Sequence, residues 1–221
     1  MPEQAIEKQP KDKEFQPRPE TLALLRVSGN PINGLGETEE RRPSPFFWHP
    51  PQMHPYGDLQ VAARGRMSKC PGYEAAFTPA RNHPPLIPVA DSRREESAEK
   101  FSADVKAFAL AHEADGVGIS PMNPLYVFEG YRIDEPWVII LALAHNYERL
   151  RQVPSDETNG EGICDVGDQY ARGTRSSFNL ANWIRSQGYN AKAFPGPSAD
   201  ALLLIPPAVA SGRASWASMD R

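Results

Sequence analysis

From Ser92 onward the apolar positions of the chain recur with two different periods. Phe101, Val105, Phe108 and His112 fall three and four apart, which puts them on one face of a helix running to about Ala114. Ser92-Arg93-Arg94-Glu95 has the form of a capping box, so the helix is expected to open there. Asp115-Gly116 turns the chain, and Val117-Gly118-Ile119-Ser120 reads as a short buried strand ended by Pro121. No polar residue interrupts the run from Trp137 to Ala144. That run predicts a strand covered on both faces, at the centre of a helix-layered sheet. A second helical stripe, Tyr170, Thr174, Phe178, Ala181 and Ile184, predicts a helix that stops at Gly188, a residue free to take positive φ. Tyr189 to Phe194 alternates as a half-buried strand does, and an apolar segment over 199–210 closes on Ser211-Gly212. Residues 122–136 and 152–167 read as loops.

The N-terminal part follows another rule. Residues 1–90 carry 15 of the 23 prolines, which remove backbone donors and fix φ. This stretch is expected to be a Pro-rich, irregular and extended arm without long helices, partly disordered, and chiefly so over residues 1–20. Leu22 to Val27 is its one compact apolar run near the start. Phe46 to Tyr56 is dense in aromatics and prolines, as in an arm laid across a folded body with each aromatic in a surface pocket. The expected organisation is therefore an arm over 1–90, an α/β core over 91–212 and an atypical polar tail over 213–221.

Composition narrows the function classes. The chain has 221 residues and a net charge of −4, which gives no electrostatic case for nucleic acid or an anionic membrane. No apolar run reaches the ~18 residues that a membrane span needs. The N-terminus lacks an apolar h-region, and neither Arg41-Arg42 nor Arg93-Arg94 precedes an apolar run as an export signal would, so the cytoplasm is expected. Cys70 and Cys164 are far apart in sequence and lie in no C-x-x-C, so both are expected to be reduced. Two thiolates cannot hold a cubane cluster alone. His49, His54, Cys70 and His83 match no zinc spacing, and no metal site is expected. His145-Asn146-Tyr147-Glu148 follows the strongest strand, where α/β proteins place ligand contacts. No G-x-G-x-x-G follows a strand, which argues against a dinucleotide-binding protein.

The order of motifs carries one resemblance. A helix is followed by "DGVGISP", then "WVIILALAHNYE", then a tyrosine opening a helix, then "WIRSQGYNAKAFPGPSADALLLIPPAVASG". Over residues 95–212 this resembles the catalytic-domain core of the cobamide-dependent reductases, the reductive dehalogenases and more distantly the epoxyqueuosine reductases. The resemblance implies an α+β fold, an α/β sandwich of the nitroreductase and cobalamin-processing kind. It implies a cobalamin held base-off, two [4Fe–4S] clusters in an appended ferredoxin module, an external electron donor and a small organohalide substrate. Tyr170 matches the proton-donating tyrosine, and Arg172 and Arg175 are the candidate cations that would perturb it. His145, Asn146, Tyr147 and Gly212 are the candidate cofactor contacts.

Departures from the pattern are also plain. The turn that holds a polar residue in the family reads Pro195-Gly196-Pro197-Ser198 here, and the cluster cysteines do not follow Gly212. The chain is therefore expected to be a truncated N-terminal portion, inactive alone. Read one frame over, with a serine codon ending in a pyrimidine, Ser215-Trp216-Ala217 and Met219-Asp220 spell Leu-Gly-x-x-Gly, the family's continuation. A frameshift near Gly212 is the expectation. The alternatives at this point are a non-catalytic fragment or interaction protein, and an epoxyqueuosine-reductase-like enzyme.

Overall fold

The computed structural model describes residues 40–46, 48–54, 57–196 and 201–213. The readings of Leu22–Val27 and of the tail beyond Arg213 lie outside the described residues. The described chain is mixed α and β, and mostly helical. In order it forms α1 (Gly57–Met67), α2 (Tyr73–Arg81), α3 (Ala98–Ala111), β1 (Gly116–Pro121), β2 (Trp137–Ala142), a short α4 (Tyr147–Leu150), α5 (Glu161–Ser186) and α6 (Ile205–Ala210).

Helix α5 organises the rest. Its 26 residues make it about 39 Å long at 1.5 Å per residue. Thr174, Phe178, Ala181 and Ile184 are buried along it, as their spacing requires. Gly188 ends the region with φ 83°. The helix begins well before its apolar stripe, inside the stretch read as a loop. Gly162 and Gly167 weaken the helical signal there, yet both are needed for packing. A Cβ on Gly167 would lie 2.7 Å from the Ala76 Cβ, and one on Gly162 would lie 2.5 Å from Val153 Cγ1. Helix α2 rests on this glycine-lightened surface, and Tyr73, Ala76, Phe77 and Cys70 form a cluster against Ile163, Cys164, Val166 and Tyr170.

A second cluster joins α3, β1 and the C-terminal half of α5 through Val105, Ala109, Val117, Leu180 and Ile184. Helix α3 opens later than the capping-box reading placed it. Ser97 is the N-cap and its side chain accepts from the Lys100 N–H at 3.2 Å. Ser92 and its neighbours are occupied elsewhere. Ala90 N–H donates to Arg185 O and Arg94 N–H to Gln187 O, which seals the C-terminus of α5.

The two strands pair antiparallel, from Gly116↔Ala142 to Pro121↔Trp137. Here the expectation of a central, doubly covered strand fails. Among the described residues β2 pairs with β1 alone, its faces alternate in burial, and Trp137 is 60% exposed. Residues 189–194 also form no strand. Arg185 Nη1 donates to Asn190 Oδ1 at 2.7 Å and to Ala191 O at 3.1 Å, so a side chain satisfies what a ladder would have.

The Pro-rich part contributes two helices, contrary to the prolines' message. Pro79 sits inside α2, near its C-terminal end. The segment before α1 is pinned by a charged residue. Arg42 donates from Nε to Val127 O at 2.9 Å and from Nη2 to Phe128 O and Tyr131 O. The aromatics of the arm do not each enter a pocket: Phe46 and Trp48 are exposed, whereas His49 is buried against Phe128 and Tyr131. No helix among the described residues is long and apolar enough to cross a membrane.

Candidate functional site

The end of the sheet where β1 starts and β2 finishes gathers several of the candidate residues. Past Ala142 the chain runs through His145, Asn146 and Tyr147. His145 Nδ1 lies 2.7 Å from Asp165 Oδ2, and the Asn146 N–H donates to Asp165 Oδ1 at 3.2 Å. Asp165 is fully buried in α5, whereas the His145 side chain is 38% exposed. An accepting carboxylate assigns the proton to Nδ1 and leaves Nε2 facing outward. Asn146 Oδ1 caps α4 by accepting from the Arg149 N–H. Tyr147 is 72% exposed, the most open large hydrophobic side chain among those described. Arg149 in turn binds Glu161 at 3.0 Å and Asp168 at 2.7 Å. These partners raise its already high pKa, the Asp168 hydrogen bond first.

Arg172 and Arg175 serve the same end of the sheet. Arg172 donates to Glu113 O at 2.7 Å and to Asp115 Oδ2 at 3.0 Å, and Asp115 accepts from the Ala144 N–H at 2.7 Å. Arg175 forms a two-point pair with Glu113, at 2.9 and 2.7 Å. That pair holds the Glu113 carboxyl below its ordinary range, and the Ala144 N–H, then Arg172, does the same for Asp115. Gly212 also reaches this region. It follows the Ser211 C-cap of α6 with φ 71°, and the next residue, Arg213, lies beside Gly116 and Gly118.

Tyr170 is elsewhere. At about 100° per residue it is displaced about 140° around α5 from Asp165. Its ring meets Phe77 and Trp48 edge-on, at 5.8 and 6.4 Å. A Cβ on Gly196 would come 2.9 Å from Tyr170 Cε1, so the turn after Phe194 rests on this ring. Burial pushes the phenol above its ordinary pKa, and its hydroxyl has no hydrogen-bond partner among the described residues. The expectation that Arg172 and Arg175 perturb Tyr170 is corrected: both guanidiniums are committed to Glu113 and Asp115 on another flank.

The histidines outside this region do not converge. His54 Nε2 meets the buried Gln60 Oε1 at 3.1 Å, and His83 stacks on Phe178 at 3.9 Å. Among the described residues no three of His, Cys, Asp and Glu are grouped as a metal site would require. Asp165 was missed by sequence reasoning, since a lone aspartate inside a presumed loop carries no signal. Only the extension of α5 back to Glu161, which buries Asp165, singles it out. No protein-family model matches the chain, and comparison with curated proteins finds no match.

Proposed function

We propose that this chain is the N-terminal part of a reductive-dehalogenase-like, cobamide-dependent oxidoreductase that replaces the halide of a small organohalide by hydrogen. The observation that carries the reading is the contact between Tyr170 and the Gly196 turn. In the resembling family the tyrosine that Tyr170 matches and the turn after the next segment face the substrate together. The two lie far apart in sequence here, and the fold sets one against the other. Trp48 adds an apolar wall beside them.

The chemistry of Tyr170 suits a proton donor held in reserve. Burial keeps its proton on Oη throughout the neutral range. No neighbour accepts that proton among the described residues, so it is available to a bound molecule.

A corrinoid carries a ring of amide side chains that need donors and acceptors. The donor set at the sheet end fits such a rim: the outward His145 nitrogen, the Asn146 amide nitrogen and the Tyr147 hydroxyl make no hydrogen bonds among the described residues. Gly212 lies at the same end and adds no side chain to crowd it. When bound, the corrinoid supplies the electrons that break the carbon–halogen bond, fed by an external donor and the family's [4Fe–4S] clusters. The residues of this chain would hold its rim, shelter the substrate and keep a proton at Tyr170. Retention of cobalamin by the purified chain tests the reading, and failure to retain any counts against it.

A further inference from the structure

Cys70 and Cys164 are distant in sequence, and the fold brings them to one place. Cys164 lies on the first turns of α5, and its thiol donates to Pro71 O at 3.3 Å. Pro71 is bonded to Cys70. A Cβ built on Gly72 would come 2.8 Å from the same sulfur. Cys70 is 6% exposed and belongs to the cluster on which Cys164 packs. Both are free thiols. Consecutive Cα atoms are about 3.8 Å apart, so a sulfur that contacts Pro71 O and lies where a Gly72 side chain would begin is about one residue from Cys70. A disulfide asks for that range of approach.

The two sulfurs differ in access. Cys164 lines a cleft of about 400 Å³ together with Pro71, Gly72, Arg149, Asn159 and Gly160, whereas Cys70 lies behind it. A cleft of that size admits a small organic disulfide. We propose that Cys164 and Cys70 form a redox modification site that reacts with a small-molecule disulfide and closes into an intramolecular bond.

The Cys164 thiolate attacks one sulfur of the small disulfide and expels one thiolate, leaving a mixed disulfide on Cys164. Cys70 then attacks the Cys164 sulfur and expels the second thiolate. The two protein thiols are oxidised, the small disulfide is reduced to two thiols, and the two protein protons end on those products. Burial pushes the Cys164 thiol up, Arg149 pulls it down, and Asp168, Glu161 and Cys70 push it up again. A high thiol pKa lowers the thiolate fraction and makes a poor leaving group, so the bond forms slowly and is reduced slowly. Once formed, it ties the turn before α2 to the head of α5, next to Arg149. The site stands independently of the corrinoid reading.

The test is incubation of the full chain with oxidised glutathione, followed by alkylation, intact mass and non-reducing proteolysis. The expected result is loss of both alkylatable thiols, a mass lower by two hydrogens, and a Cys70–Cys164 cross-linked peptide that dithiothreitol releases. Cys70→Ser is expected to stop at a glutathione adduct on Cys164. A lasting adduct on the unsubstituted chain, or two thiols that stay alkylatable, overturns the proposal. Cross-linking equally fast in urea-unfolded chain overturns it too, because the fold would then contribute nothing.

Discussion

Asp165 Oδ2 lies 2.7 Å from His145 Nδ1, with the carboxylate sealed inside α5 and the imidazole at the surface. The same carboxylate also accepts the Asn146 N–H. One buried side chain thus fixes both the path of the chain leaving β2 and the direction of an outward ring nitrogen. Replacing it leaves the Asn146 N–H and the His145 ring N–H, both in part-buried hydrogen bonds, without their acceptor. Asp165→Ala is expected to cost about 1–3 kcal/mol, read from denaturant unfolding. His145→Ala, which removes only the exposed partner, is expected to cost less.

Gly167 answers to packing and not to backbone freedom. Its missing Cβ is where Ala76 and Phe77 sit, with the nearest atoms at 2.7 Å. Gly167→Ala raises helix propensity by up to about 1 kcal/mol but forces α2 away from α5, at about 1–3 kcal/mol. The prediction is a lower Tm. A higher Tm would mean that the helices part freely.

The same residue explains what the sequence could and could not reveal. The stripe from Tyr170 to Ile184 and the stop at Gly188 were legible because periodicity and a terminal glycine are local signals. The first turns of α5 were not, because Gly162, Asp165 and Gly167 look like loop residues until α2 and His145 are placed against them. Trp137–Ala142 was legible as a strand. Its partner count was not, since an unbroken apolar run does not say how many strands cover it. Arg42, the residue that pins the arm, has no signature at all in the sequence, because its three acceptors are backbone carbonyls.

The Glu113 and Asp115 carboxyls are held below their ordinary range by Arg175 and by the Ala144 N–H with Arg172. A lowered carboxyl pKa gives stability that is fully present above the unfolded value and lost as pH falls through the folded one. Both side chains are partly exposed, so each pair is worth under about 1 kcal/mol. The expected outcome is a loss of Tm as pH falls below about 4, the unperturbed carboxylate range. Glu113→Gln with Asp115→Asn flattens that loss.

Tyr170 shifts the other way. Burial raises its pKa, so the folded state favours the protonated phenol. Its stability is present below the unfolded value of about 10 and is lost as pH rises through the folded one. Spectrophotometric titration should show a phenol ionising above the ordinary tyrosine value, and Tyr170→Phe should remove that step and raise alkaline stability. A Tyr170 that titrates at the ordinary phenol value of about 10 contradicts the buried donor.

The most direct measurement is the absorption spectrum of the chain after reconstitution with cobalamin and gel filtration. The proposed function predicts a corrinoid that co-elutes with the protein in its base-off form at neutral pH, with retention weakened by Tyr147→Ala and His145→Ala. A colourless protein peak, with all the cobalamin in the small-molecule fraction, contradicts it.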